Sequence, residues 1–497
     1  MQMWFEAIVN VFSFSILITI LFGTIFGILM GSLPGLSSTM AVAIIIPFTF
    51  SMEPAAGIIL LSSIYCASVF GGSISAILLN TPGTPAGAAT VIDGYELTKQ
   101  GKSGKALGIS AVASGLGGVI SAIILSFTAP ILAEQALRFG APEYFALAIF
   151  GISVVSSLGG INPIKGLIAG TFGILIATVG MDPIDGYPRF TFGSPFLATG
   201  FSLIPVLIGL FSASQAFHLI KKSEKGKETK DSEDVKGQVL PSIKEVTKIL
   251  PNIFRSSIIG TFIGIIPGIG GDPAAFISYN EAKRWSKHPE RFGKGELGGV
   301  AAPEAANNAV TGGALIPLLT LGIPGNTVTA ILIGGLLIHG LRPGPMLFQE
   351  HGDVVYSLFF SLIITNLLFL IIGVSCAKYF STILKVPAQI MGPIILILSI
   401  VGSFAIHNDY FDIWVMLAFG IIGYIFKLIN VPVTPIVLAI ILAPIAEQSL
   451  RQSLLQGDNF AYIITRPIAF VFLLLAVITF FTPFVRDYLR NRKIKSS

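Results

Sequence analysis

The sequence predicts an all-α polytopic membrane protein of two inverted-topology repeats with broken helices or re-entrant hairpins, about 11–13 membrane segments in all. Three observations predict it. Charged residues are 11% of the 497 and hydrophobic ones 53%, with mean hydropathy +0.82, whereas a soluble domain carries about 25% charged residues. Apolar runs long enough to span recur along the chain without strand-like alternation, which favours helices over a barrel. A Pro-Gly interruption is written twice, as GILMGSLPGLSS (27–38) and GTFIGIIPGIGG (260–271).

Setting Pro34 on Pro267 places Gly27, Gly31 and Gly35 on Gly260, Gly264 and Gly268. Pro removes a helix donor and clashes with the preceding turn, and the neighbouring Gly frees the backbone. In lipid, the released N–H and C=O groups would cost several kcal/mol each, so such breaks must face protein or a wet cavity. Matching breaks in two halves point to a transporter's binding site. A pair of Pro kinks with small-residue packing faces would look similar one at a time.

In chain order, 8–31 is an apolar run ending at the first break. Residues 39–50 are too short to cross alone and read as the return of a hairpin. Residues 57–79 lead to a second break, NTPGTPAG (80–87), followed by a polar loop with Lys99, Lys102 and Lys105. This break has a twin. Gly71-Gly72 aligns with Gly312-Gly313, and Pro82-Gly83 with Pro324-Gly325 after a one-residue gap. A weaker echo sets Gly170 and Gly173 on Gly420 and Gly423. Spans are expected at 106–132, 143–160, 164–180 and 197–219, then at 354–377, 387–405, 411–428, 432–448 and 465–484. The division is therefore a first membrane repeat at 1–220, a charged cytoplasmic linker at 221–248 and a second repeat at 249–497. The linker holds eight Lys against six acidic residues and reads as a solvated connector.

Charge sets the orientation. The loop between the first half's breaks (51–56) has no Lys or Arg, while its counterpart (281–296) has Lys283, Arg284, Lys287, Arg291 and Lys294. After the second break the bias reverses, so the positive-inside rule turns the halves opposite ways and leaves the basic C-terminus cytoplasmic. The net charge of +5 lies in these loops and is no sign of nucleic-acid binding. The first basic residue is Lys99, so no cleaved signal peptide is expected. The two cysteines, Cys66 and Cys376, suggest neither a disulfide framework nor a metal motif.

The candidate site gathers around the breaks. The first half offers Pro34, Gly35, Ser37, Ser38, Asn80, Thr81, Gly83 and Thr84; the second offers Gly268, Gly270, Gly271, Asp272, Glu304, Asn307, Asn308, Gly325, Asn326 and Thr327. Helix N-termini after the breaks suit a carboxylate, and freed carbonyls and hydroxyls suit Na⁺, a hard ion that takes oxygen ligands, with H⁺ as the alternative coupling ion. Asp272 reads either as a site acid or as an N-cap with Pro273 at N1. Glu304 reads either as an intramembrane functional acid or as a residue near the membrane surface. No catalytic residue, metal cluster or nucleotide-binding loop stands out, so no enzyme activity and no organic cofactor are expected. A channel would call for a filter or charged ring rather than an internal repeat.

Four stretches carry a more specific signal: 31–50, LLNTPGTPAGAATVIDGYEL (78–97), 286–325 and HGLRPGPMLF (339–348). Over nearly its whole length the sequence resembles the large membrane subunit of tripartite tricarboxylate transporters. The resemblance implies a periplasmic or extracellular solute-binding protein and a small membrane subunit of about four helices as partners. It also implies an organic carboxylate such as citrate as substrate, drive by a Na⁺ or H⁺ gradient, and residence in a prokaryotic inner or plasma membrane. Carboxylate transport without a binding protein and an anion channel are the alternatives.

Overall fold

The computed structural model describes residues 2–154, 163–182, 184–224, 235–384, 388–457 and 459–495. The chain is an all-α polytopic membrane protein. Nine helices among these residues are long and apolar enough to cross a membrane, and four shorter apolar helices, including Ser38–Thr49 and Thr327–Ile338, accompany them. A short antiparallel pair, Gly180–Met181 with Pro188–Arg189, is the one strand pairing among the described residues. The spans expected at 143–160 and 387–405 and the linker 221–248 fall partly on residues outside those described.

The helices fall into two compact units. One comprises Met1–Ala133 and Gln215–Ile406, the other Glu134–Ser214 and His407–Ser497. Each unit takes segments from both halves of the sequence, so spatial grouping cuts across the repeats.

The first unit is built on two helix pairs that use the same contacts. In the first half Phe14–Ser32 lies along Pro54–Leu79; in the second Ile243–Ile265 lies along Leu297–Leu321. Gly27 and Gly31 sit on the carbonyls of Ile64 and Ser68, and Gly260 and Gly264 on those of Ala306 and Val310. Gly71 sits on the Ile28 carbonyl, as Gly313 does on that of Thr261. Gly83 meets the Gly31 carbonyl and Gly72; Gly325 meets the Gly264 carbonyl and Ala314. Small residues let backbones approach this closely where no hydrophobic force drives helix association. The contacts pair Gly71 with Gly313 and Gly72 with Ala314, so the second breaks align without the gap that sequence matching introduced.

The helix ends match too. Phe14–Ser32 and Ile243–Ile265 both end in an extended residue, Leu33 and Ile266. Gly35 and Gly268 follow at φ 92° and 78°, a region that only glycine enters freely. The long helices both end left-handed, at Asn80 with φ 54° and Gly322 with φ 71°.

One element departs from expectation. Residues 87–99, read as the start of a polar loop, form the helix Gly87–Lys99. Its buried stripe includes Thr90 and Asp93 as well as Ala89 and Leu97, so hydrophobic periodicity does not reveal it. The described end of the linker, 235–242, is mostly exposed but hydrogen-bonded: Lys236 N–H donates to Ser103 Oγ (2.8 Å) and Gly104 N–H to the Lys236 carbonyl (2.9 Å).

In the second unit Gly173, on Pro163–Ala177, rests on the Ile436 carbonyl of Thr434–Gly457, and Gly423 on the Leu210 carbonyl of a π-helical turn, Ile208–Ala213. An ion network joins loop and helix: Arg451 pairs with Asp182 (2.9 Å), Asp185 (3.0 Å) and Glu447 (3.0 Å), and Arg189 with Glu447 (2.8 Å). Backbone N–H groups of Asp185 and Ile184, then Arg451 and Arg189, hold the Asp182 carboxyl below the usual carboxylate range.

Candidate substrate and ion site

The site lies within the first unit. It is organised by two helices that protein surrounds on all sides: the spanning window of Pro54–Leu79 is fully buried, and so is every residue of Leu297–Leu321 from Gly298 to Thr320. Polar side chains are tolerated there because partners from neighbouring helices replace water.

Glu304 lies in the third turn of Leu297–Leu321 and is 1% exposed, enclosed by protein. Thr90 Oγ1 donates to its Oε1 at 2.5 Å, and Ser110 and Ser114 hydroxyls donate to Oε2 at 3.1 and 2.9 Å. Ser73 adds a fourth hydroxyl, 2.7 Å from that of Ser110. The carboxylate comes from the second half of the chain and all four hydroxyls from the first. Among the described residues no Lys, Arg or His forms an ion pair with Glu304.

One turn further along, Asn308 is fully buried. Its Nδ2 donates to the Ser114 carbonyl at 3.3 Å, while its Oδ1 has no hydrogen-bond partner. Asn307 is also buried, with Oδ1 against Gly271, where a Cβ would come within 2.4 Å.

The breaks meet across the halves. Ala86, at the second break of the first half, packs beside Gly271, the neighbour of Asp272. Gly270, at φ 73°, occupies the N-cap of Gly271–Arg284. Asp272 therefore falls within the first turn, where a carboxylate complements the helix dipole without capping. Within the second half, Gly268 N–H donates to the Gly325 carbonyl at 2.8 Å. Asn326 caps the helix opened by Thr327, its Oδ1 accepting from Thr329 N–H at 3.0 Å, and its Nδ2 reaches the Tyr65 hydroxyl at 2.6 Å.

Other candidates are engaged locally. Ser37 Oγ accepts from Met40 N–H as the cap of Ser38–Thr49, and Thr81 Oγ1 donates to the Leu79 carbonyl. Thr84 Oγ1 accepts from Gly87 N–H at 3.4 Å, and its side chain packs on Gly72. Pro34 and Gly35 form the first break, where the Gly35 carbonyl accepts from Gln215 Nε2. Gly83 packs against Gly31, and Asn80 is exposed at its left-handed position. Ser38 is buried, with an Oγ that lacks a partner.

Sequence reasoning missed Thr90, Ser110, Ser114 and Ser73 around Glu304. It also missed Asp93, which is fully buried. One oxygen of Asp93 accepts from the N–H groups of Gly293, Gly295 and Glu296 at 2.8–2.9 Å, and the other from the Tyr279 hydroxyl at 2.9 Å. Asp93 thus fastens the loop before Leu297–Leu321. The i, i+4 spacing of Ser110 and Ser114 was the available signal, since it puts both hydroxyls on one helix face.

The described groups are hydroxyls, amides, two acids and helix N-termini, with no metal-binding cluster of His, Cys, Asp and Glu among the described residues. Such an arrangement offers oxygen ligands, hydrogen-bonding groups and helix dipoles.

The profile of the tripartite tricarboxylate transporter TctA family matches residues 17–438. An uncharacterized 52.8 kDa protein in the TAR-I ttuC' 3'region of Agrobacterium vitis is 35% identical over 452 residues, 90% of this chain and 89% of the relative. An uncharacterized protein in the TAR-II ttuC' 3'region of Agrobacterium vitis is 35% identical over 212 residues, 42% of this chain and 87% of the relative. No solved structure matches. With the family profile spanning most of a chain whose fold is polytopic and helical, the protein belongs to the TctA family, the large membrane subunits of tripartite tricarboxylate transporters.

Proposed function

We propose that this chain forms the translocation path of a secondary transporter that imports organic carboxylates of the tricarboxylate type, driven by a Na⁺ or H⁺ gradient. A solute-binding protein outside the membrane delivers the substrate, and a small membrane subunit of about four helices completes the complex. The chain resides in a prokaryotic inner or plasma membrane with its C-terminus in the cytoplasm, and its two repeats are inverted. The observation that carries this reading is the meeting of breaks from both halves, with Ala86, Gly271, Asp272 and Asn307 in one place. The partial positive charge of helix N-termini at the breaks favours a carboxylate there, as in other transporters with broken helices.

Co-reconstitution with the two partners tests it. Labelled citrate should accumulate in vesicles only with the binding protein present and an inward ion gradient imposed. Uptake without the binding protein would support a stand-alone carrier. Flux that merely equilibrates, indifferent to any gradient, would support an anion channel and sink the proposal.

A further inference from the structure

We infer that Glu304, the Asn308 Oδ1 and the hydroxyls of Thr90, Ser110 and Ser114 together hold one small monovalent cation, with Na⁺ as the ion that fits. The inference rests on the transport reading above and supplies its coupling site. It also moves that site from the breaks to an unbroken helix, Leu297–Leu321.

Three features lead there. A carboxylate enclosed by protein needs a counter-charge or a proton, because an isolated buried charge is expensive, and among the described residues no basic side chain pairs with Glu304. The Asn308 Oδ1 is an acceptor with nothing to accept from. Its amide cannot simply be reversed, because Nδ2 is committed to the Ser114 carbonyl, so the vacant oxygen calls for a cation or a donor. Every group in the set is an oxygen, and a hydroxyl that donates to the carboxylate can rotate to offer a lone pair instead.

The charge count selects the ion. Ca²⁺ sites usually gather several carboxylates, and transition metals favour nitrogen or sulfur; this cluster has one carboxylate and neither imidazole nor thiolate. At the matching place in the first half, Ser62 stands where Glu304 stands, with an unpartnered Oγ. The repeat therefore provides one such site rather than two.

Binding of radioactive Na⁺ to the purified chain in detergent, competed with Li⁺, K⁺ and choline, tests the site apart from transport. The wild type should bind Na⁺ saturably, and Glu304→Gln should abolish binding. Asn308→Ala and Ser114→Ala should each raise the half-saturating Na⁺ concentration on the order of tenfold, and they keep the test informative if Glu304→Gln fails to fold. Undiminished binding in all three variants would overturn the assignment. Uptake that follows the pH gradient, with no Na⁺ binding by the wild type, would overturn it in favour of a proton. Absence of carboxylate uptake alongside normal Na⁺ binding would count against the transport reading and leave the site standing.

Discussion

The helices Pro54–Leu79 and Leu297–Leu321 share one scaffold and differ in what they carry. Each lies along the helix before a Pro-Gly break, each is enclosed by protein, and each ends in a left-handed residue. At matching positions, however, the first carries Ser62, Tyr65 and Cys66 and the second Glu304, Asn307 and Asn308. Glycine-to-carbonyl packing constrains the backbone on both sides, while the other helix faces are free to differ. A repeat can therefore keep its architecture and place its charge on one side alone.

The largest effects should come from the charged half. Glu304→Ala leaves three hydroxyls without their acceptor, at roughly 1 kcal/mol or more each, and thermal unfolding in detergent should show the full loss. Asp93→Ala should cost a comparable amount, since three backbone N–H groups lose their acceptor. The freed loop should then be cut by trypsin at Lys294, a cleavage absent from the wild type. The first-half turn at 50–53 is too short to need such a clamp.

Glycine substitutions probe the shared scaffold. A Cβ on Gly31 would stand 2.1 Å from the Ser68 oxygen, and one on Gly264 2.8 Å from that of Val310. Gly31→Ala and Gly264→Ala should each destabilise by about 1–3 kcal/mol, the first more than the second. Equal costs would show that the two pairs adjust differently from what their spacing implies. The second unit provides a pH control independent of either helix. Because its neighbours depress the folded-state pKa of Asp182, its contribution to stability is present above the ordinary carboxylate range and is lost as pH falls below about 4. Asp182→Asn should therefore lower the melting temperature near neutrality, with the gap to wild type closing under acid. Smallest of all should be Ser62→Ala, within about 0.5 kcal/mol, because its Oγ has no partner to lose. A large effect there would break the contrast with Glu304.

The breaks were legible in the sequence because Pro and Gly act on the local backbone: both copies of the motif end a helix at the same point, before Leu33 and Ile266. Glu304 and Asn308 stood out as polar residues in an apolar stretch. Their surroundings did not, because Thr90, Ser110 and Ser114 are ordinary packing residues until a carboxylate from the other half arrives. Asp93 was hidden for a related reason. Its helix turns a polar residue inward, and what satisfies that residue is a backbone distant in sequence, which no local pattern encodes.

The four hydroxyls around Glu304 have a consequence for how the cluster could change state. A hydroxyl is a rotor: turning about one C–O bond exchanges a proton for a lone pair while the oxygen stays in place. A shell made of such rotors can face an anion at one moment and ligate a cation at the next without moving its helices. Loading and unloading would then be read chiefly in the O–H groups, by vibrational spectroscopy or hydrogen exchange.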